Sequence, residues 1–528
     1  MQVSTPTIDL LVRGGTVIDG LGAEPQRADV AVSGGRIVAV GDLPEDMAAA
    51  TVVDATGLTV TPGFIDVHTH TDALAFLPGH DEIHTASVRQ GVTSEVCGNC
   101  GFSPFPADPA AGLDRDPYLS ALGGGVARPF ASLADFRAAL DEADLPVHRA
   151  PLVGHATLRA AVMGYDDRPP TSEELREMTR QLDRAFDEGA IGLSTGLVYP
   201  PGQFADTDEL SALASVAARH GRLYTSHTRN EMEYVTEAIG EALAVGRASG
   251  AAVQISHHKV AGKPNHGRVG RTLVQIEAAR AEGVDVAVDL YPYTAASTML
   301  AALLPPWVNG RSPDERRRLL GDGQARRRMA KDHHDGLRGW QDFAKAAGWD
   351  GVVLADHPEF SGRTIADVDP GRDPWDVLCD LLLEDLRLTC VLHMMDAGDV
   401  AEIDAQPYTL IGSDGLPVPG RQHPRVAGTF AAALSSRPDG MDLVERVRRM
   451  TSVPARRFGL VGRGELRDGA HADLVLLDPA GLASRATYDD PWARPVGIRT
   501  VVVGGQVVID GGVDTGARPG RVLGADEY

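Results

Sequence analysis

The stretch Gly63-Phe64-Ile65-Asp66-Val67-His68-Thr69-His70 begins with a short apolar run and closes on two histidines separated by one residue. An apolar run of this length predicts a buried strand. The period of two along a strand turns both imidazoles to the same side, as joint capture of one cation requires. Such a pair also occurs without a metal, so its neighbours in the fold have to decide its meaning.

Working outward, further apolar runs lie near 92–97, 150–154, 190–194, 223–227, 252–257, 284–289 and 409–413, alternating with helical patterns. With 64–68 they make eight candidate strands in β-α order, which predicts an α/β fold built on a (β/α)8 TIM-type barrel. One intervening helix is sharply specified: Thr171-Ser172-Glu173-Glu174 has the form of a capping box. Leu175, Met178, Leu182 and Phe186 follow as an apolar stripe, and Gly189 supplies a stop.

The two ends of the chain have a different texture. Leu10-Leu11-Val12-Arg13-Gly14-Gly15-Thr16-Val17-Ile18 and its neighbours read as short strands in hairpins, and the pattern returns in Ala472–Asp478 and Thr500–Ile509. Both ends are therefore expected to build one small β-sandwich domain from residues 1–62 plus 464–528. The (β/α)8 barrel is expected over 63–463, with a lid insertion near 300–350 that carries Arg316-Arg317-Arg318 and Arg326-Arg327-Arg328 on solvated helical faces.

At 528 residues the chain can bury a sizeable core, and its formal charge of -23 disfavours nucleic acid or an anionic membrane as a partner. No leader-like segment opens the sequence and no apolar run reaches the roughly 20 residues that span a bilayer, so a cytoplasmic location is expected. Cys97, Cys100, Cys379 and Cys390 are too few for a disulfide framework and are expected to be reduced. Nothing in the sequence specifies an oligomeric state.

Catalytic groups of a β/α barrel sit at the carboxyl ends of its strands. That rule collects His68 and His70, then His227 after Leu223-Tyr224-Thr225-Ser226, His257 after Val253-Gln254-Ile255-Ser256, and Asp414 after Leu410-Ile411-Gly412-Ser413. A carboxylate at the rim can ligate a metal and also shuttle a proton from water to a leaving amine. Cys100, in Val96-Cys97-Gly98-Asn99-Cys100-Gly101, could bridge facing metal positions as a thiolate, whereas Cys97 reads as a small buried residue. His258 should face away from His257 if the strand continues, and His155 reads as structural or supporting. His393 and Asp356 resemble ligands by residue type alone.

The sequence resembles the D-aminoacylase (N-acyl-D-amino-acid deacylase) family of the amidohydrolase superfamily. The resemblance rests on Pro62–His70, Gly98-Asn99-Cys100-Gly101, Gly192–Gly202 with its Tyr199-Pro200-Pro201-Gly202, Ser256-His257-His258-Lys259, Asp289-Leu290-Tyr291-Pro292-Tyr293 and His423-Pro424-Arg425. It implies a zinc enzyme in which the cysteine replaces the carboxylated lysine of hydantoinase-like relatives, and Gly192-Leu193-Ser194-Thr195-Gly196 indeed lacks a lysine. By resemblance, Cys100, His227 and His257 hold one tight Zn2+, while His68, His70 and Asp414 line a second, weaker position. Asp414 is then the catalytic base and acid. Tyr199, Lys259, Tyr291 and Ser297 are implied as substrate contacts, with Arg425 as a looser carboxylate-binding candidate.

The implied reaction is hydrolysis of the amide bond of small-molecule N-acyl-D-amino acids to a carboxylate and a free D-amino acid. Two other readings make different predictions. An amidohydrolase for another amide, such as a D-residue dipeptide, a cyclic imide or a specialised natural product, would ignore simple N-acyl-D-amino acids. A noncatalytic barrel would bind no metal.

Overall fold

The computed structural model describes residues 7–72, 76–77, 81–107, 128–416 and 418–525. Eight barrel strands run in order: β1 (Phe64–Asp66), β2 (Val92–Cys97), β3 (His148–Pro151, resuming at Val153–Gly154), β4 (Gly192–Gly196), β5 (Leu223–His227), β6 (Val253–Ile255), β7 (Val286–Leu290) and β8 (Thr409–Ile411). Neighbours pair in parallel along β1-β2-β3 and from the end of β3 through β8. The backbone of Asp414 donates to the carbonyl of His68 at 2.8 Å and that of His70 to Gly415 at 2.9 Å, closing the eighth strand's end onto the first. The expected barrel with a smaller domain is the fold observed.

The helices pack outside through their apolar stripes. Ser172–Asp187 carries the full capping box between Thr171 and Glu174, and its Met178, Leu182 and Phe186 bury in one core with Leu193 and Val153 of the barrel strands.

Strands from both ends of the chain form one continuous nine-stranded sheet, joined where Leu474–Leu477 pairs antiparallel with Thr59–Pro62. Strand alternation divides its two faces. Leu474, Leu476 and Val502 bury against Leu10, Val12 and Val60, while Val475, Leu477, Val501 and Val503 bury against Phe64, Val92 and Phe430 of the barrel unit.

Between β7 and β8 the chain makes an excursion that the sequence pattern revealed only in its helices. Ala295–Met299, Val352–Leu354 and Thr389–His393 form a separate antiparallel sheet, and Pro313–Gly321 and Gly323–Asp335 are the helices that carry the arginine runs. Those runs are not uniformly solvated. Arg316 is buried and donates to the carbonyl of Arg311, and Arg326 pairs with Asp376 and Asp380, because one side of each helix packs on the rest of the excursion.

Candidate active site

Pairing in β1 ends at Asp66, earlier than the apolar run suggests, because the Asp66 carboxylate takes over the backbone donors. Its Oδ1 accepts the N–H of His68 at 3.1 Å and that of Ser413 at 2.9 Å, tying the ends of β1 and β8 together. His68 and His70 therefore sit just past the strand, yet both turn to the same carboxylate: their Nε2 atoms lie 3.4 and 3.2 Å from Asp414 Oδ1.

Cys100 leaves β2 through a tight turn. Gly196 must be glycine, because a Cβ there would lie 2.0 Å from the carbonyl oxygen of Cys100. The sulfur is thereby pressed into the mouth of the barrel, where His68 Nε2 lies at 3.4 Å, His227 Nδ1 at 3.6 Å and His257 Nε2 at 3.6 Å. Zinc–sulfur and zinc–nitrogen bonds of about 2.3 and 2.0–2.1 Å at a tetrahedral angle put S and N roughly 3.6 Å apart. The donor set thus fits a tetrahedral thiolate–imidazole cation in chemistry and spacing.

Cys100, His257 and Asp414 have φ of 52°, 35° and 50°, and among the described residues they are the non-glycine residues with positive φ. Left-handed backbone is unfavourable for a residue with a Cβ, and its restriction to three donor positions marks a geometry held by its surroundings. The electrostatics agree. Burial opposes ionisation of both Cys100 and Asp414, but His68, His227 and His257 hold the thiol well below its ordinary range, and Arg425, His257 and His68 do the same for the carboxyl.

Two supporting carboxylates were not among the residues collected from the sequence, although Asp289 ends the run 284–289. Glu231 lies four residues after His227 and looks like an ordinary helix-region acid, but it is buried behind the metal-type donors. Its carboxylate stands 3.0 Å from His257 Nδ1, 3.8 Å from His227 Nε2 and 2.6 Å from Lys259 Nζ. Asp289, inside β7, accepts the His257 backbone N–H at 2.8 Å and meets His68 Nδ1 at 3.2 Å. His68 and His257 thus each present one nitrogen to the sulfur and the other to a carboxylate, which is how ligating histidines are oriented, whereas His227 Nε2 only lies near Glu231 and has no hydrogen-bond partner among the described residues. For Glu231 the only signal in the sequence was His-x-x-x-Glu, too common to weigh.

A cavity of about 550 Å³ opens over this cluster and is lined by Tyr199, Lys259, Tyr291, Ser297 and Arg425 along with His70, Cys100, His227, His257 and Asp414. Arg425 Nη1 lies 2.8 Å from Asp414 Oδ2, with its guanidinium 4.6 Å above the Tyr291 ring centroid. The Tyr199 hydroxyl meets Thr298 Oγ1 at 2.9 Å, and Ser297 Oγ has no hydrogen-bond partner among the described residues. Lys259 is not a free cation, since Glu231 and His257 Nδ1 both engage its ammonium. Histidines expected outside the site stay outside: His258 bonds Thr272 and His155 bonds Glu209. His393 lies exposed at the end of the excursion's sheet, and Asp356 accepts the Thr389 backbone N–H.

The sequence model of the Amidohydrolase family matches residues 51–374 and 390–509. The chain is also 40% identical over 530 residues to the D-aminoacylase of Alcaligenes xylosoxydans xylosoxydans, covering 99% of each. It belongs to the amidohydrolase family. A second amidohydrolase it resembles is the N-acyl-D-glutamate deacylase of the same organism, 39% identical with 98% of this chain and 97% of the relative covered. Among solved amidohydrolase structures, the N-acyl-D-glutamate deacylase of Bordetella bronchiseptica, complexed with zinc and a phosphonate mimic of the tetrahedral intermediate, superposes with a TM-score of 0.83 at 38% identity, covering 98% of this chain and 100% of that one.

Proposed function

We propose that this amidohydrolase cleaves the amide bond of N-acyl-D-amino acids, releasing a carboxylate and a free D-amino acid. The observation that carries it is the placement of Cys100 Sγ within 3.4–3.6 Å of three imidazoles, with Asp414 on the same cavity wall. D-aminoacylase and the D-glutamate deacylase are relatives over nearly the whole chain.

In this reading Cys100, His227 and His257 hold one tight zinc, and His68, His70 and Asp414 line a weaker position beside it. Zinc so held would polarise the scissile carbonyl and acidify the attacking water. Asp414, kept ionised by Arg425 and the imidazoles, accepts a proton from that water as its oxygen bonds to the carbonyl carbon. The same carboxyl returns the proton to the nitrogen as the C–N bond breaks. Ser297 Oγ, Tyr199 and Tyr291 offer hydroxyls to the substrate's carbonyl or carboxylate, and Arg425 and Lys259 supply positive charge nearby. Glu231 and Asp289 orient the imidazoles and take no part in the chemistry.

Residues 63–463 would then be the hydrolase unit and 1–62 with 464–528 the small domain bracing it. The free cysteines Cys97, Cys100, Cys379 and Cys390 support a reducing, cytoplasmic setting, and no helix among the described residues is long and apolar enough to cross a membrane. The test is release of free amino acid from N-acetyl-D- and N-acetyl-L-amino acids with and without a chelator. Turnover of the D series that the chelator abolishes is expected. Cyclic-amide opening without D-series turnover, or chelator-insensitive turnover, would overturn the assignment.

A further inference from the structure

Of His423-Pro424-Arg425, the reaction proposed above uses the arginine alone. The histidine is buried beside it, and both of its ring nitrogens are engaged. Nε2 lies 2.9 Å from the carbonyl oxygen of Ala295, and Nδ1 accepts the backbone N–H of Arg425 at 2.9 Å. A carbonyl can only accept and a backbone N–H only donate, so the ring is neutral with its proton on Nε2. Burial and the adjacent Arg425 guanidinium push its pKa well below the ordinary range, which keeps it so.

The two partners lead to two different functional groups of the cavity over the metal-type cluster. Arg425 opens the helix Arg425–Ser435, whose N-cap position, Pro424, offers no side-chain acceptor, so the imidazole takes the first N–H of the helix. From that helix start the guanidinium reaches Asp414 at 2.8 Å. Ala295 opens the strand Ala295–Met299, and Ser297, two residues on, lines the cavity with a hydroxyl that has no hydrogen-bond partner among the described residues. Arg425 Nη2 donates to the Ser297 carbonyl at 3.2 Å, which closes the circuit. The rings of Tyr291, Tyr293 and Tyr488 stand edge-on around the imidazole, with centroids 5.9, 5.2 and 5.2 Å away. His423 itself does not line the cavity.

We infer that His423 is a positioning residue, setting the spacing between the Ser297 hydroxyl and the Arg425–Asp414 pair without touching the substrate. The inference rests on the hydrolytic reading above. Groups that flank one scissile bond must keep their distance, since an error of about 1 Å costs up to about 100-fold in rate.

Two variants cut the link at one arm each. In His423→Asn the amide oxygen stands where Nδ1 does and can accept the Arg425 N–H, but the side chain stops short of Ala295. In His423→Gln the amide nitrogen reaches the place of Nε2 and can donate to Ala295, leaving the Arg425 N–H without its acceptor. The test measures kcat/KM of the zinc-loaded chain for N-acetyl-D-leucine in each variant, alone and combined with Ser297→Ala or Arg425→Ala, alongside zinc content and thermal melts. Each single variant should lose about tenfold. The His423→Asn loss should vanish in Ser297→Ala and persist in Arg425→Ala, and the His423→Gln loss should do the reverse. Either variant decides the matter if the other fails to fold. Losses of equal size in every background, native turnover in both variants, or unfolding of both would overturn the positioning role and leave the hydrolytic reading standing. Absence of turnover of any N-acyl-D-amino acid by the native chain sinks both.

Discussion

Two buried clusters of this protein contain the same residue types and behave differently. At the mouth of the barrel, Asp414 meets Arg425, His68 and His70. At the junction with the nine-stranded sheet, Asp473 meets Arg463 and His148, accepts the Gly504 N–H at 2.8 Å, and through its own carbonyl accepts the N–H of Gly63 at 2.8 Å. The junction cluster satisfies its charges with no left-handed residue other than a glycine, Gly504, and with no thiol. The mouth cluster holds Cys100, His257 and Asp414 in left-handed backbone and opens on a cavity. Burial and pairing are thus not enough to mark a reactive site. What separates the two is strained backbone, converging soft donors and room for a ligand.

The sharpest way to break this contrast is Cys100→Ala. It should leave no detectable turnover and no tightly bound zinc by elemental analysis, with the far-UV spectrum unchanged. Zinc retained at the native level would mean that the sulfur is not part of the metal set.

Asp414→Asn comes next. Asparagine tolerates the left-handed backbone, so the fold should persist while kcat falls by about 10²–10⁴. The mirror experiment at the junction, Asp473→Asn, should instead cost about 3–5 kcal/mol of stability by stranding Arg463, with kcat per folded molecule unchanged. Denaturant melts and active-site titration measure both. Burial opposes ionisation of Asp473, yet Arg463, His148 and the Gly504 N–H hold its carboxyl far below the usual range. A lowered carboxyl pKa contributes stability that is complete above the unfolded value of about 4 and is lost as the pH falls through the folded one. The gap in stability between native protein and Asp473→Asn should therefore be widest at neutral pH and close in acid. A gap that widened in acid would contradict the ionised pairing.

Glu231→Gln should have the smallest effect of the series, weakening zinc binding by about 10–100-fold in chelator competition because the imidazoles lose their carboxylate support. Unchanged metal affinity would make Glu231 a structural partner of Lys259 alone.

Much of the mouth was legible in the chain itself. Apolar runs announce barrel strands by their length and spacing, and the residue just past each run must emerge at the rim. His68, His70, Cys100, His227, His257 and Asp414 could be gathered by that rule, and the structure brings them into one cluster, all but His68 on the wall of one cavity. Glu231 was not legible as a partner of those imidazoles, since His-x-x-x-Glu is too common to weigh; Asp289 ends the apolar run 284–289 and opens the Asp289–Tyr293 segment, but its meeting with His68 and the His257 N–H is a contact across strands that no single stretch announces. The sheet of Ala295–Met299, Val352–Leu354 and Thr389–His393 was missed for a related reason: its strands are short, far apart in the chain, and recognisable only by pairing with one another.

Local pattern determined the fold class, because hydrophobic periodicity and turn residues act within a few positions and need no partner to be read. It also determined the residue types at the rim. Tertiary structure alone decided which nitrogen of each imidazole faces the sulfur, that Lys259 is held by Glu231, and that Arg425 lies on Asp414. Those are distances between segments dozens to hundreds of residues apart, set by packing of the whole barrel and its excursion and written in no single stretch of the chain.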